Sequence, residues 1–360
     1  MSKFTARYVI QTLVFAVILT LLYGVWEVNG TLYRPIKLAT PTQTVLVGQG
    51  ETLTSIVNRL AEEGVVRHPR WLLAYARWKN QTHIRAGEYE LQQGVTGETL
   101  LQILASGKVI QYQITFVEGN TFADALKQLS EQKKLIDDLT NLSDEAHKTL
   151  LGFTRQQAEG WLFPDTYSYV SGMKVSDVLR VAHNRMNSIL DEEWKNRASD
   201  LPYKTPYEAL IMASIVEKET GVADERKQIA GVFVRRMKKG MKLQTDPTVI
   251  YGLGKNFNGD LKRSQLKEYS PWNTYVIDGL PPTPIAMPGR ASIHAALHPT
   301  DSGALFFVAR GKGRHLFQET LEQHQKATNE FQLRRNDNYQ SAPPLPASNE
   351  VPAVNKEAAP

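Results

Sequence analysis

The sequence predicts an α+β protein: an N-terminal transmembrane helix, a small module of βα units and a larger mixed α+β domain. Three observations carry this expectation. An uncharged apolar run, Tyr8 to Trp26, opens the chain. A Gly-x-Thr turn followed by an apolar residue then recurs, with the same apolar spacing behind it. Beyond residue 160, helical stripes alternate with proline- and glycine-rich loops and a strand–turn–strand pattern. The 360 residues suit two or three domains at ~100–200 residues each.

The expected division is a short cytoplasmic segment (1–7), a membrane anchor (8–26), a juxtamembrane linker (27–43), a small module (44–112), a connecting βα unit (113–160), a large domain (161–336) and a disordered tail (337–360). The chain has no cysteine, which excludes disulfides, thiolate zinc sites and cysteine nucleophiles. Net charge is +5. This mild excess argues against a nucleic-acid surface and suits contact with anionic lipid or polymer.

At 1.5 Å per residue, ~20 helical residues cross a ~30 Å hydrocarbon core, and the run from Tyr8 to Trp26 meets that length. Lys3 and Arg7 precede it, which points the N-terminus to the cytoplasm and the remaining chain outward. A cleaved signal peptide is the competing expectation. Glu27-Val28-Asn29-Gly30 offers no clear small-x-small cleavage site, so the uncleaved anchor is preferred.

Next comes the repeat. Gly50-Glu51-Thr52-Leu53 leads to Ile56-Val57, and Gly97-Glu98-Thr99-Leu100 leads to Ile103-Leu104. Gly119-Asn120-Thr121-Phe122 with Ala125-Leu126 is a looser copy. Each places a threonine where it can N-cap a helix. Trp71 to Trp78 reads as an amphipathic helix and Ala86 to Leu91 as a strand. Val47 to Leu60, VGQGETLTSIVNRL, resembles the opening of a LysM module, a βααβ unit that binds N-acetylglucosamine polymers. Whether this copy binds glycan stays open.

Residues 130–160 are polar and helical in character. Glu159 to Tyr167, EGWLFPDTY, is an aromatic knot around a proline. It is either a packed hinge or the edge of a cleft. A helix over Val175 to Arg197 follows, with an apolar stripe of Leu179, Ala182, Met186 and Ile189.

Thr205-Pro206-Tyr207-Glu208 has the form of a capping box with proline at the first helical position. The apolar run Ala209 to Val216 then meets Glu217 and Glu219, and Gly221 is the candidate C′ stop. Both glutamates fall on apolar faces, and geometry alone does not separate them. The plain reading makes both the solvated end of a core helix, and composition alone favours it. Position favours Glu219 for chemistry. A carboxylate in the last turn meets the negative end of the helix dipole, and partial desolvation adds to that effect. Both raise its pKa toward that of a general acid at neutral pH.

Leu243 to Gly254, LQTDPTVIYGLG, reads as a polar loop feeding a short strand. Asn273-Thr274-Tyr275 precedes Gly279 to Gly289, GLPPTPIAMPG, a stiff loop. Ala304 to Ala309, the turn Arg310 to Gly313 and His315 to Phe317 form a β-hairpin, and a last helix runs from Thr320 to Arg334. Together ASIVEKET, LQTDPTVIYG, NTY and GLPP resemble the YceG-like family of membrane-anchored endolytic murein transglycosylases. The resemblance runs from the anchor to the last helix. Thr283 stands where glycine is usual after the double proline, and Met287 where a polar residue is commoner.

The resemblance implies a lyase that cuts the β-1,4 bond between N-acetylmuramic acid and N-acetylglucosamine of nascent strands, leaves a 1,6-anhydro end and so terminates strand growth. Ordinary glycosidases need two carboxylates; one suffices here, because the sugar's own C6 hydroxyl replaces water. Glu219 with Thr220 matches the family's catalytic glutamate and its adjacent hydroxyl residue, so Glu219 is assigned as acid then base, with Glu217 as the fallback. Gln244, Thr245 and Asp246 are expected in the substrate cleft. Asp246 either steadies positive charge or orders the loop through turn hydrogen bonds. Asn273 and Tyr275 are expected to bind N-acetyl groups or stack on a sugar ring, and Tyr251 is a core alternative. The implied partners are peptidoglycan strands, the membrane and penicillin-binding proteins.

Two other readings remain. One is a two-carboxylate muramidase with Glu219 and Asp246 as the pair; the other is a non-catalytic cell-wall-binding scaffold. No cofactor is implied. His294 and His298, four apart, are the nearest approach to a metal pair, with no carboxylate between them, and surface histidines explain them. No Gly-x-Ser-x-Gly elbow or phosphate loop appears.

Overall fold

The computed structural model describes residues 3–140, 143, 145, 152 and 158–333. The expected tail (337–360) and much of the polar segment before residue 158 lie outside the described residues. The chain forms two compact units. The first comprises residues up to Ile114, Glu131–Asp138 and Tyr167–Val178; the second comprises Thr115–Ser130, Leu139–Thr166 and Leu179 onward.

The first unit begins with α1 (Lys3–Tyr33), which among the described residues is the helix long and apolar enough to cross a membrane. From Tyr8 to Trp26 its large apolar side chains stand exposed. The helix does not stop there. Leu32, in its last turn, is buried in the core of the module that follows. That module runs β1 (Thr42–Val47), α2 (Leu53–Glu62), α3 (Pro69–Trp78), β2 (Gly87–Gln92) and α4 (Gly97–Ser106).

Strands β1 and β2 pair antiparallel, Thr42 opposite Gln92 and Val47 opposite Gly87. Strand alternation turns Val45, Val47, Tyr89 and Leu91 inward. They meet Ile56, Val57 and Leu60 of α2 and Leu72 of α3; burying each such aliphatic side chain contributes about 1.5–3 kcal/mol.

Thr52 caps α2 as expected, accepting from the Ser55 N–H at 3.2 Å. In α4 the expectation is off by a turn. Thr96 is the N-cap and Thr99 is its capping-box partner at the third helical position. Gly97 is required here for space, because a Cβ would lie 2.3 Å from the Thr31 carbonyl oxygen of α1. The close approach of α1 and α4 locks the end of the long helix to the module.

The first unit also holds most of a two-stranded sheet, β3 (Tyr112–Thr115) with β4 (Thr166–Tyr169). Glu88, 5% exposed, ties this part to β2 by accepting from Tyr112 Oη (2.5 Å), Lys134 Nζ (2.6 Å) and Ser171 Oγ (3.2 Å).

The second unit contains α5 (Phe122–Ser130), most of α6 (Val175–Lys195), α7 (Pro206–Glu219), α8 (Arg226–Lys238), α9 (Asp246–Leu253), α10 (Arg290–Leu297), the hairpin β5 (Phe306–Gly311) and β6 (Arg314–Gln318), and α11 (Leu321–Thr328). Every residue of α7 from Ala209 to Val216 is buried, so this helix is the axis of the core. It packs against α8, α9 and α10. Phe233, Leu243, Ile285 and Ile293 fill the space around it. Trp161 stacks on Tyr207 at 5.6 Å and joins this core, so the aromatic knot is packed at that end. The hairpin forms where expected, Phe306 opposite Gln318. Leu243 to Gly254 does not feed a strand: Asp246 to Leu253 is helical.

Candidate active site

Helix α7 starts on Thr205, whose hydroxyl accepts from the Glu208 N–H at 3.3 Å, with Pro206 next. The Glu208 carboxylate reaches back to Lys204 N–H rather than to Thr205, so the reciprocal arm of the box lands one residue earlier. At the other end the helix closes on Glu219. Thr220 is extended (φ −148°), is buried, and accepts from Val222 N–H at 3.0 Å through its hydroxyl. Gly221 does not adopt a left-handed conformation; the expected glycine stop is replaced by the extended, hydrogen-bonded Thr220.

The two glutamates of this last turn go to different places. Glu217 accepts from the Gly289 N–H at 2.9 Å and braces the proline-rich loop. It lies beside Glu118, whose carboxyl is pushed up by burial and by the Glu217 charge and is held down by Arg226. Glu219 instead accepts a short hydrogen bond from the Thr245 hydroxyl. Burial pushes the Glu219 carboxyl up to about 7; the Thr245 bond opposes this, the Asp246 charge adds to it and the Arg236 guanidinium opposes it. The carbonyl end of α7 favours the protonated form as well.

Thr245 is the N-cap residue of α9, yet its hydroxyl makes no cap bond. A cap of this kind contributes ~1 kcal/mol; here the hydroxyl serves Glu219 instead. Its position is fixed by a buried threonine cluster. Thr245 N–H donates to Thr274 Oγ1 (3.1 Å), Thr248 Oγ1 donates to the Thr245 carbonyl (2.7 Å), and Thr248 and Thr274 hydroxyls meet at 2.8 Å. Asp246, in the first turn of α9, accepts from Tyr275 Oη at 2.6 Å. Burial first, and then Asp246, raise the Tyr275 phenol.

Gln244 is exposed and has φ 51°, unusual for a residue with a Cβ. Its backbone N–H donates to the Thr274 carbonyl at 3.1 Å. Arg236, buried on α8, holds the preceding backbone by donating to the carbonyls of Leu243 (2.7 Å), Lys242 (3.2 Å) and Leu305 (2.7 Å).

The structure therefore brings Glu219, Thr245, Asp246 and Tyr275 together, with Gln244 adjoining. Asn273 is different. It is buried; its amide donates to the carbonyls of Gln265, Leu266 and Glu268, and its Oδ1 accepts from Tyr275 N–H at 3.0 Å. These bonds shape the loop that presents Tyr275 and occupy the amide that the sequence reading expected to meet an N-acetyl group or a sugar ring. Tyr251, set aside as core, donates to Glu159 at 3.1 Å. Burial pushes Glu159 up to about 7, against bonds from Phe122 N–H, Tyr251 and Gly160 N–H.

Sequence reasoning missed Arg236 and the Thr248–Thr274 pair. The first left a signal: Ile229, Val232 and Arg236 fall on one helical stripe, so a cation stands where an apolar residue is due. The expectation for the histidines also changes. Although no carboxylate separates His294 and His298 in sequence, Glu193 of α6 supplies one, 2.9 Å from His294 Nδ1. Arg290 Nε pairs with the same carboxylate at 2.8 Å, which gives the group a charge-network explanation.

The YceG-like family model matches residues 45–330. The chain is 30% identical over 337 residues to the endolytic murein transglycosylase of Bacillus subtilis (strain 168), covering 87% of this chain and 92% of that protein. It is 31% identical over 318 residues to the protein of the same name from Streptococcus pneumoniae serotype 2, covering 79% of this chain but only 57% of that longer relative. A crystal structure of a yceG-like protein from Listeria monocytogenes superposes with a TM-score of 0.51 at 28% identity, over 79% of this chain and 99% of that one. With the family model spanning both the first unit's module and the carboxylate site at the end of α7, the chain belongs to the YceG-like family.

Proposed function

We propose that this protein is a membrane-anchored lytic transglycosylase of peptidoglycan, with Glu219 as its single acid and base. The observation that carries the assignment is the Glu219 carboxyl at the end of a buried helix, held by Thr245 and pushed up to about 7 by burial. Such a group can be protonated at neutral pH and still release its proton. The relatives named endolytic murein transglycosylase supply the substrate class.

In the first step Glu219 donates its proton to O4 of the leaving N-acetylglucosamine as the bond from C1 of N-acetylmuramic acid to O4 breaks. The C6 hydroxyl of the same muramic residue then forms the C1–O6 bond and gives its proton to the Glu219 carboxylate. The acid is regenerated and no water is consumed. Asp246, held by Tyr275, supplies negative charge near an oxocarbenium-like transition state. Thr245 keeps the carboxyl in one rotamer, and Gln244 and Tyr275 form the rim that meets the sugar.

The β1-α2-α3-β2 order of residues 44–112 supports the LysM-like reading of the module. The continuity of α1 into the module core supports an uncleaved anchor, with the folded units on the outer face of the membrane. Penicillin-binding proteins are proposed as neighbours, since cutting nascent strands must occur beside their synthesis.

The test uses the full chain in detergent with purified murein, beside Glu219→Gln. The proposal expects fragments one water lighter than hydrolysis products, absent with the variant. Fully hydrated reducing ends would instead mark the two-carboxylate muramidase. Absence of cleavage by the folded protein would mark the binding scaffold.

A further inference from the structure

Helix α3 carries an exposed aromatic stripe that the chemistry of the second unit does not use. Trp71 and Trp78, two helical turns apart, are 45% and 75% exposed, with exposed Ala74 between them. In a small domain, two indoles on one solvent-facing stripe call for an occupant. Their surroundings are cationic. Arg70, Arg77 and Lys79 are exposed on or next to the same helix. The Lys79 ammonium lies over the Trp78 ring at 4.7 Å.

The position of this stripe along α1 identifies the occupant. Trp71 and Tyr75 form a groove with α1 that runs from Thr20 to Tyr33. The uncharged run of α1 ends at Trp26, so the groove begins within the apolar span and ends beyond it. The neighbouring charges fall at the same height. His68, the residue before α3, meets Glu27 at 2.6 Å, and the Arg34 guanidinium lies over the Trp26 ring at 4.7 Å. A cleft of about 490 Å³ opens beside Trp26 and is walled in part by Arg34, Lys37, Arg67 and His68. Three nearby acids are engaged: Glu27 with His68, Glu98 with the Tyr75 hydroxyl, and Glu63 with Arg59. The end of α1 is fixed to the module through Leu32 and the Gly97 contact, so the module cannot swing α3 away from that height.

We propose that α3 is a second, interfacial membrane contact: Trp71 and Trp78 lie at the headgroup–acyl boundary of the outer leaflet, and the surrounding arginines and lysines bind anionic phospholipid phosphates. Indoles settle at this boundary because one edge is apolar and the N–H is polar. Basic residues flanking an apolar face add attraction to anionic lipid. The contact rests on α1 spanning the bilayer. Its consequence is that the module stands in one orientation on the membrane, held at two points.

The chain's lack of cysteine makes the test direct. Single variants Ala74→Cys, Phe15→Cys and Glu90→Cys of the full chain are labelled with a nitroxide in nanodiscs of phosphatidylethanolamine and phosphatidylglycerol. Power saturation then compares collisions with oxygen and with a water-soluble nickel chelate. Phe15 reports the α1 span, and exposed Glu90 on β2 is the aqueous reference. The expected result is a Phe15 label deep in lipid and an Ala74 label whose nickel collisions fall several-fold below those at Glu90. A deep Phe15 label with Ala74 as open to nickel as Glu90 overturns the interfacial contact and leaves the anchor intact. A Phe15 label open to nickel overturns the anchor and the contact with it.

Discussion

Replacing Thr245 by valine removes one hydroxyl from the Glu219 carboxyl and little else. That hydroxyl donates to Glu219 and makes no cap bond to α9, so the helix loses no cap. A hydrogen bond to a charged group is worth about 1.5–3 kcal/mol. One pKa unit corresponds to 1.36 kcal/mol, so losing a bond that favours the carboxylate raises the Glu219 pKa by about 1–2 units. The starting value is about 7. The acid must be protonated to act, so activity falls as pH rises through this pKa. The assay is the pH dependence of kcat/KM for glycan cleavage. Thr245→Val is expected to move the alkaline limb upward by about 1–2 units, with a lower plateau from the loosened rotamer. Thr245→Ser should restore the wild-type limb. An alkaline limb that stays in place, or moves to lower pH, would refute the claim that this hydroxyl tunes the acid.

Four further outcomes follow from the same geometry. Glu219 has its folded pKa raised from 4.5 to about 7, so its stabilising protonated form is complete below 4.5 and is lost as pH rises through 7. Glu219→Gln should therefore melt higher than wild type at pH 8, by the equivalent of about 3 kcal/mol, and keep only about 1 kcal/mol of that advantage at pH 5; an equal gain at both pH values contradicts the burial of the carboxyl. Gln244→Gly removes a Cβ from a left-handed position and should stabilise the fold by about 1 kcal/mol in thermal melts, whereas Gln244→Val should destabilise it. Glu88→Ala leaves the Tyr112, Lys134 and Ser171 donors without their acceptor and should cost about 2–4 kcal/mol, read as faster proteolysis of the first unit. Tyr275→Phe frees Asp246 and should lower kcat by about tenfold, the equivalent of 1.4 kcal/mol, with KM little changed; a purely binding role would move KM instead.

Local patterns were readable wherever a helix or strand meets the core on one face. The Thr205-Pro206 start, the apolar run to Val216 and the hairpin of residues 306–318 all lie where periodicity puts them. Two kinds of feature escaped. Short apolar runs have no decisive period: Val249, Ile250 and Tyr251 suggested a strand, but Asp246-Pro247 at the helix start and packing against α7 make the segment helical. Long-range polar partnerships leave little trace in sequence. Nothing local reveals that the Thr245 hydroxyl leaves its cap for Glu219, that Glu193 faces His294, or that backbone carbonyls occupy the Asn273 amide. The choice between Glu217 and Glu219 lay between these cases: both fall on apolar faces, position in the last turn and the family motif favoured Glu219, and their different partners, Gly289 and Thr245, could not be read from sequence.

The central claim is that one carboxyl and the sugar's own hydroxyl perform the cleavage without water. The most direct measurement is digestion of murein by the full chain in water enriched in oxygen-18, followed by mass spectrometry of the newly formed ends. Wild type and Asp246→Asn are expected to give unlabelled ends, and Glu219→Gln no cleavage. Oxygen-18 at the new C1 position, lost when Asp246 is changed, would contradict the claim.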